Sequence, residues 1–458
     1  MAALTELRQR HPRFVYESYD LKHSDGNLNV QFHFTLEPGI NFVPKITIPS
    51  AEGIDDVGVE NFAFHLGLIE AMSYWKAACS PELLVRAGKL TEQQISWWHN
   101  LFIHGLGELY YKNGIDFTPS DFLTIVSEGD KLSAPRTSST SSGDLFLVGG
   151  GKDSAVTLEL LKDTKKRRGA LILNPIQSAL DNARTAGVED PLVVKRTIDP
   201  TLIDLNKRGY INGHTPFSAY LAFLGVFVAS LNDFESVIAS NERGASEGNV
   251  TYNGIEVNHQ YSKGVDFEKL FREYGKNYLA SDIEYFSFLR PLYDLQISKL
   301  FSEYSTEHYQ TFKSCNVGQK ENAWCGECAK CAFVYLSLFP FIPMDQTREI
   351  FGEDYFRKEK IGSFITDLVG LGDEKPFECV GTVDESRLAV ALSIKRYREE
   401  GIEPPPLLMQ LVQKLGIDEK TTVAVLQQRI SQEWGQENFL PTEYARILKN
   451  ALLKGGVK

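Results

Sequence analysis

The chain has 458 residues, too many for one ordinary domain, so its length excludes a single small module and favours two or three folded units. Hydrophobic residues make up 43% of it and charged residues 24%, which excludes a disordered or fibrous protein. The 60 acidic residues outnumber the 48 basic ones and give a formal net charge of −12, so we expect a small-molecule substrate and neither a nucleic-acid nor a membrane partner.

The first residues and the cysteine content both bear on the compartment. The opening stretch, MAALTELRQRHPRF, has neither the apolar core nor the cleavage site of a signal peptide. No stretch of about eighteen uncharged apolar residues follows it. Four of the six cysteines fall within residues 315–331, which is not the distribution of a disulfide framework. We therefore expect a cytoplasmic protein.

Residues 1–132 predict an α+β domain. Alternating segments at 14–21, 29–36 and 42–48 are separated by Asp-Gly and Pro-Gly turn signals, which predicts an antiparallel meander. Apolar and aromatic residues then recur every three or four positions at 61–76 and 91–112, the period of amphipathic helices.

Residues 133–143, SAPRTSSTSSG, predict a linker because such polar, glycine-containing sequence packs poorly. Residues 144–370 predict an α/β domain with a parallel sheet, because short β-branched runs alternate with amphipathic segments. These runs lie at 145–148, 171–173, 192–198 and 237–239. Residues 371–458 predict a helical C-terminal domain. Its helical runs lie at 385–399, 407–415 and 421–434.

A glycine-rich loop joins the first of these strands to a helical segment in DLFLVGGGKDSAVTLELL. The loop residues are Gly149, Gly150, Gly151, Lys152, Asp153 and Ser154. Glycines let backbone N–H groups point at an anion, and the helix start adds the positive end of its dipole, so the loop predicts a phosphate site to which Lys152 adds a charge. The pattern fits neither the Walker A motif nor GxGxxG. A turn used only for close packing is the alternative.

The stretch GGGKDS resembles the PP-loop of ATP pyrophosphatases, usually written Ser-Gly-Gly-x-Asp-Ser. The resemblance implies ATP binding, attack of a substrate oxygen on the α-phosphorus, and release of diphosphate from an adenylated substrate. It also implies that Asp153 helps to hold Mg²⁺, which neutralises charge on the leaving group. Gly149 replaces the leading serine of the motif, so one hydroxyl contact to the diphosphate is missing.

Four cysteines, Cys315, Cys325, Cys328 and Cys331, predict a metal site in the segment 315–331. Four thiolates suit tetrahedral zinc and leave no open position for water, which indicates a structural role. A similar arrangement is found in 7-cyano-7-deazaguanine synthase, another PP-loop enzyme. An iron–sulfur cluster and a redox dithiol are the alternatives.

A polar segment, SNERGASEGN, follows a predicted strand. It places Asn241, Glu242 and Arg243 beyond the carboxyl end of that strand, where open α/β sheets bind ligands, so we expect these residues to contact substrate. A solvated loop is the alternative interpretation.

Three further side chains are candidates for the site. His259, in VNHQYSKG, could be a general acid or base or a structural histidine. Lys263, in the same segment, is a candidate substrate-binding residue. Arg290, in FSFLRPLYDL, could bind a phosphate or carboxylate, or could belong to an ion pair.

Several stretches together resemble the MurL family of UDP-N-acetylmuramoyl-L-alanyl-L-glutamate epimerases of bacterial peptidoglycan synthesis. The stretches are ENFAFHLGLIEAMSYWKAACSP, WWHNLFIHGLGELYYKNGIDF, GGGKDS, SNERGASEGN, VNHQYSKG, WCGECAKC and KPFECVGT. The resemblance spans nearly the whole chain. It implies ATP- and Mg²⁺-dependent inversion of the terminal L-Glu of UDP-MurNAc-L-Ala-L-Glu, through an acyl-adenylate, with release of AMP and diphosphate.

Inversion at carbon requires proton transfer on two opposite faces. Cys79 and Cys379 are one hypothesis for the two bases, because paired thiolates serve cofactor-independent amino-acid racemases. His259 and Lys263 are the alternatives. A PP-loop ligase or amidating enzyme, and a nucleotide-binding module without turnover, are competing functions for the whole chain.

Overall fold

The computed structural model describes residues 2–50, 58–132, 141–417 and 433–454. Its strands are β1 (Arg13–Ser24), β2 (Asn27–Leu36), β3 (Ile40–Phe42), β4 (Lys45–Pro49), β5 (Glu82–Val85), β6 (Thr124–Ser127), β7 (Asp144–Leu147), β8 (Arg168–Leu173), β9 (Leu192–Thr197), β10 (Ser236–Ala239), β11 (Val250–Tyr252), β12 (Ile255–Val257) and β13 (Glu284–Ser287).

The α-helices surround these strands. They are α1 (Ala2–Arg10), α2 (Val59–Trp75), α3 (Glu92–Gly105), α4 (Gly107–Lys112), α5 (Lys152–Leu160), α6 (Gln177–Thr185), α7 (Pro200–Lys207), α8 (Phe217–Leu231), α9 (Val265–Tyr278), α10 (Asp294–Tyr304), α11 (Ala329–Leu338), α12 (Met344–Phe351), α13 (Glu359–Leu368), α14 (Val383–Glu399), α15 (Pro406–Leu415) and α16 (Thr442–Lys454). Within the described ranges, none of them is both long enough and apolar enough to cross a membrane.

The predicted meander is confirmed. β1 pairs with β2 and β2 pairs with β4, both antiparallel, and alternate residues of β2 are buried. The predicted helix at 61–76 is α2. The predicted helix at 91–112 is interrupted at Leu106, which ends α3 and precedes α4.

One mixed sheet contains strands from both sides of the predicted linker. Its order is β13-β10-β7-β8-β9-β4-β2-β1-β5-β6, and β3 pairs with β2. An antiparallel contact between β4 and β9 joins the meander to the parallel strands. The domain boundaries therefore stay a prediction, and residues 133–140 of the predicted linker lie outside the described residues.

The α/β prediction is confirmed in the strands that follow the linker. β7 lies between β8 and β10, and the five strands from β13 to β9 are parallel to one another. Successive residues of β7 face opposite sides: Leu145 packs into the core with α2 and α8, and Phe146 packs into the core with α5 and α10. The chain leaves β7 toward one side of the sheet and returns on the other side at β10, so a topological switch point lies between these two strands.

Helices follow in the C-terminal region, as predicted. α14 begins at Thr382, whose hydroxyl accepts from the backbone N–H of Glu385 in a capping box, and α15 begins with Pro406 at its first position. The predicted helix at 421–434 falls almost wholly on residues 418–432, which lie outside the described part of the chain.

Candidate functional site

The glycine loop lies at the switch point, between the end of β7 and the start of α5. Gly149 is exposed, and a Cβ on it would meet nothing within 4 Å. Gly150 has φ +80°, and a Cβ there would lie 2.5 Å from Ser178 Oγ and 2.7 Å from the backbone nitrogen of Ala179. Only glycine fits this second position. The loop thus presents backbone at the N-terminus of α5, which suits an anion.

The loop lysine is not free in this structure. Lys152 is buried, and its Nζ lies 2.5 Å from Asp153 Oδ1 and 2.8 Å from Asp294 Oδ1. Although burial alone would lower the pKa of this lysine, the two carboxylates raise it. Burial alone would raise the pKa of Asp153, but the charges of Lys152 and Lys330 lower it. Asp153 is therefore an ionised carboxylate at neutral pH.

A cleft of about 240 Å³ opens beside the loop. Its apolar lining includes Leu147, Leu221 and Tyr285. Its polar lining includes Gly149, Gly151, Asp153, Ser154, Asn241, Lys263, Lys313, Lys330 and Cys379. Three lysines thus share this lining with one carboxylate and one thiol. An anionic ligand with an aromatic or apolar group fits this combination.

Cys379 has lysine and histidine neighbours. Lys263 Nζ donates to Cys379 Sγ across 3.1 Å, and His259 Nε2 lies 3.9 Å from the same sulfur. Burial alone would raise the pKa of Cys379, but the charge of Lys263 and the hydrogen bond from His259 outweigh it and lower the pKa to about 5. The thiolate is the form present at neutral pH, so Cys379 has the character of a base or nucleophile.

His259 is held as an imidazolium beside this thiolate. Its Nδ1 lies 2.6 Å from Glu108 Oε2. Burial alone would lower the pKa of His259, but hydrogen bonds to Cys379 and Glu108 raise it to about 9. Cys379 and His259 are therefore both charged between about pH 5 and about pH 9.

The second cysteine of the hypothesised pair lies elsewhere. Cys79 is fully buried in the core formed by α2 and its neighbours, and its sulfur donates to the carbonyl oxygen of Lys76. Burial raises the pKa of this thiol to about 12. Cys79 does not line the cleft that contains Cys379. This placement counts against the hypothesis that the two thiols transfer protons on opposite faces of one substrate.

Arg290 shows the ion-pair alternative. It is 1% exposed, and its guanidinium donates to Glu268 Oε2 at 2.9 Å, to the carbonyl oxygen of Glu242 and to that of Lys263. Arg290 does not line the cleft beside the glycine loop but borders a second groove. Its bond to the carbonyl oxygen of Lys263 fixes the backbone that carries that lysine.

The three residues of the SNERGASEGN segment have different surroundings. Asn241 lines the cleft and donates to Ser287 Oγ. Glu242 is buried, and its pKa is raised to about 8 by burial and by nearby carboxylates. Arg243 faces a separate groove, where it pairs with Glu433 and stacks over Tyr293. Of the three, only Asn241 lines the cleft beside the glycine loop.

The four cysteines come together as the spacing predicts. The sulfurs of Cys315 and Cys328 are 3.9 Å apart, those of Cys325 and Cys331 are 3.7 Å apart, and all four lie within 4.8 Å of one another. Four thiolates around one tetrahedral ion at about 2.3 Å stand about 3.8 Å apart. In a four-iron cluster each thiolate binds its own iron and the sulfurs lie further apart, so the geometry fits one ion better.

Two family models match the sequence. Residues 5–288 match the MurL N-terminal domain, and residues 311–435 match the MurL C-terminal domain. The first match alone spans more than half of the chain. The chain belongs to the MurL family.

Three curated relatives share the name UDP-N-acetyl-alpha-D-muramoyl-L-alanyl-L-glutamate epimerase. The protein of Micromonospora sp. is 35% identical over 399 residues, which are 84% of this chain and 88% of the relative. That of Xanthomonas oryzae pv. oryzae is 32% identical over 382 residues, 81% of this chain and 84% of the relative. That of Salinispora tropica is 31% identical over 454 residues, 97% of each. No solved structure matches the chain.

Four residues in or near the cleft were not identified from the sequence of this MurL protein. Lys313 and Lys330 line the cleft, and Glu108 and His214 lie next to His259. Lys330 lies between Cys328 and Cys331, so a positive charge next to the predicted metal ligands was the one sequence signal that could have identified it. Glu108 is separated from His259 by 151 positions, and only the fold brings the two together.

Proposed function

We propose that this chain catalyses ATP-dependent epimerisation of the terminal L-Glu of UDP-MurNAc-L-Ala-L-Glu to D-Glu in peptidoglycan biosynthesis. A carboxylate oxygen of the glutamate attacks the α-phosphorus of ATP and displaces diphosphate, the α-carbon is inverted in the resulting acyl-adenylate, and water then hydrolyses the acyl-adenylate to the carboxylate and AMP. One observation carries the proposal: the cleft that contains the glycine loop also contains a thiolate in contact with a lysine. The names of the three relatives support the substrate and the inversion.

The cleft provides for the activation of a carboxylate. The cleft is lined by loop backbone at Gly149 and Gly151 and by the side chains of Lys313 and Lys330, which would bind the phosphates of ATP. Its apolar side chains, Leu147, Leu221 and Tyr285, would contact the adenine ring. Asp153 would hold Mg²⁺, which when bound offsets charge on the leaving diphosphate.

Activation explains why inversion needs ATP. Removal of the α-proton from a free carboxylate would place a second negative charge beside the first. An acyl-adenylate is neutral at the carbonyl, and its oxygen can accept the electron pair as an enolate. Cys379, with its pKa lowered to about 5, can then take or return the α-proton, and Lys263 and His259 stabilise its charged form.

The four-cysteine cluster is proposed to hold Zn²⁺ in a structural role. Cys331 lies in α11, Cys328 caps that helix, and backbone N–H groups of Gly318 and Cys331 point at the sulfurs of Cys315 and Cys328. Four protein ligands leave no position for substrate. Lys330 lies between two of these cysteines and donates to the carbonyl oxygen of Cys379, so the metal site would fix one wall of the cleft.

The nucleotide products test the proposal. The protein is incubated with ATP, Mg²⁺ and UDP-MurNAc-L-Ala-L-Glu, with and without ammonium. We expect AMP and diphosphate to form only when the peptide substrate is present, at a rate that ammonium does not change. ADP as the product, or a rate that requires ammonium, would indicate a ligase or amidating enzyme. ATP binding without any release would indicate a binding module.

A further inference from the structure

Glu108 contacts His259 from a part of the chain that no prediction assigned to the site. It lies in α4, near the N-terminus of that short helix, and its Oε2 is 2.6 Å from His259 Nδ1. The other nitrogen of the same ring, Nε2, faces Cys379 Sγ at 3.9 Å. The carboxylate, the imidazole and the thiol thus form a row in which each member contacts the next.

We propose that Glu108 is a positioning residue for the epimerisation, and that its bond to His259 Nδ1 orients the ring so that Nε2–H faces the sulfur of Cys379. The inference rests on the proposed function, since it assumes that Cys379 transfers the α-proton. Glu108 itself does not line the cleft and contacts no reacting atom.

The bond to Glu108 controls both the orientation and the charge of the ring. A carboxylate that accepts from Nδ1–H turns Nε2–H toward the sulfur, and it stabilises the imidazolium of a side chain that is only 12% exposed. The imidazolium in turn stabilises the thiolate. Negative, positive and negative groups therefore alternate from Glu108 to Cys379, and loss of the first weakens the other two.

The backbone around the row is held independently of Glu108. Asn249 accepts from the backbone N–H of His259 and donates to the carbonyl oxygen of Pro376, and Gln260 donates to that of Val380. These bonds clamp the segment that carries His259 to the segment that carries Cys379. Substitution of Glu108 should therefore release the orientation of the ring without separating the two segments.

Other charged and titratable groups face the row as well. Lys263 contacts the sulfur of Cys379, Lys330 contacts its carbonyl oxygen, and Glu378 precedes it in the chain. His214 Nδ1 lies 3.6 Å from Glu108, and its ring centroid lies 4.3 Å from that of His259. Burial and the charge of His259 lower the pKa of His214 to about 3, so this second histidine is neutral and adds no charge.

Two histidines and a glutamate are also the composition of a metal site, and the distances decide between the two interpretations. Ligand atoms about 2.0–2.1 Å from one tetrahedral ion are about 3.3 Å from one another. The 2.6 Å separation of Glu108 Oε2 and His259 Nδ1 is shorter than that. It is the length of a direct charge-assisted hydrogen bond.

The test follows alkylation of Cys379 by iodoacetamide as a function of pH, with the modified peptide quantified by mass spectrometry. Full-length protein is compared with Glu108→Gln, Glu108→Asp and Glu374→Gln. The last is a matched control, because Glu374 bonds to Tyr111 and Lys112 of the same helix but not to His259. The alkylation requires no substrate, so its result does not depend on whether the epimerisation is established; the kinetic constants are compared separately.

We expect a midpoint near pH 5 for the unchanged protein and for Glu374→Gln. Glu108→Gln should raise the midpoint by one unit or more and lower kcat at least tenfold with KM little changed, and Glu108→Asp should recover part of both. Equal unfolding temperatures exclude a folding defect. Coinciding curves for Glu108→Gln and the unchanged protein would overturn the proposal. So would a curve that shifts on addition of Mn²⁺ to protein not treated with a chelator but does not shift for Glu108→Gln, because that identifies a metal site at Glu108 while the four-cysteine cluster keeps its own ion.

Discussion

Substitution of Gly150 by alanine tests the geometry of the glycine loop directly. The left-handed φ of +80° costs a residue with a Cβ about 1–2 kcal/mol. The new Cβ would lie 2.5 Å from Ser178 Oγ and 2.7 Å from the backbone nitrogen of Ala179. Lys313 donates its backbone N–H to the carbonyl oxygen of Gly150 at 2.8 Å, so relief of the clash must break or stretch that bond.

The two contributions act together. Overpacking of this kind costs about 1–3 kcal/mol, so Gly150→Ala should destabilise the protein by about 2–5 kcal/mol. Gly149→Ala is the matched control: its φ is not left-handed and its Cβ would meet nothing within 4 Å. A surface change of that kind is worth at most about 0.5 kcal/mol. The two substitutions add the same methyl group one residue apart.

The unfolding temperature with and without ATP and the Kd for ATP are measured for both variants. We expect a lower unfolding temperature and at least tenfold weaker ATP binding for Gly150→Ala, because the shift in the loop moves the N–H groups at the start of α5. Gly149→Ala should change the unfolding temperature little. If the two variants have the same unfolding temperature and the same Kd, the described loop geometry is wrong.

Three further predictions concern the thiols. Lys263→Met should raise the pKa of Cys379 by about 2–4 units. The lysine charge lies 3.1 Å from the sulfur, which is worth about 5 kcal/mol at an effective dielectric constant of about 20, and water reduces this value. Alkylation of Cys379 as a function of pH measures the shift, and an unchanged midpoint would contradict the contact between Lys263 and the sulfur. Activity should accordingly be lost as the pH falls through about 5, where the thiolate of Cys379 is protonated, and as it rises through about 9, where His259 loses its proton. Cys328→Ser should lower the zinc content, measured by elemental analysis, from about one ion per chain and should also lower the unfolding temperature. Cys79→Ser is the control and should leave the zinc content unchanged. Equal zinc contents in the two variants would refute the metal site.

The sequence predicted those parts of the fold that depend on short-range pattern. Alternation in β2 and the turn signals on either side of it produced the meander, because side chains on successive strand residues face opposite sides. The spacing of the cysteines predicted their convergence. The strands β5, β6 and β13 were missed because four residues show no clear period and, unlike β7 and β10 of the same length, they are not followed by a glycine-rich or polar motif that draws attention to them.

Contacts between distant parts of the chain account for most of the remaining differences. Arg290 and Lys152 are of the residue types that bind phosphate. In the fold, however, Arg290 forms an ion pair with Glu268, and Lys152 forms ion pairs with Asp153 and Asp294. Nothing in the local sequence shows which carboxylate will face a given cation. Likewise, the sequence context of Cys79 did not reveal its burial in the core.

The fate of the α-proton tests the central claim most directly. The protein is incubated with ATP, Mg²⁺ and UDP-MurNAc-L-Ala-L-Glu in D₂O, the nucleotide-linked peptide is then hydrolysed in acid, and the glutamate freed from it is analysed for chirality and mass. We predict D-glutamate with one deuterium at Cα, formed in proportion to diphosphate and not formed when ATP is omitted. L-glutamate without deuterium, recovered after diphosphate has been released, would contradict it.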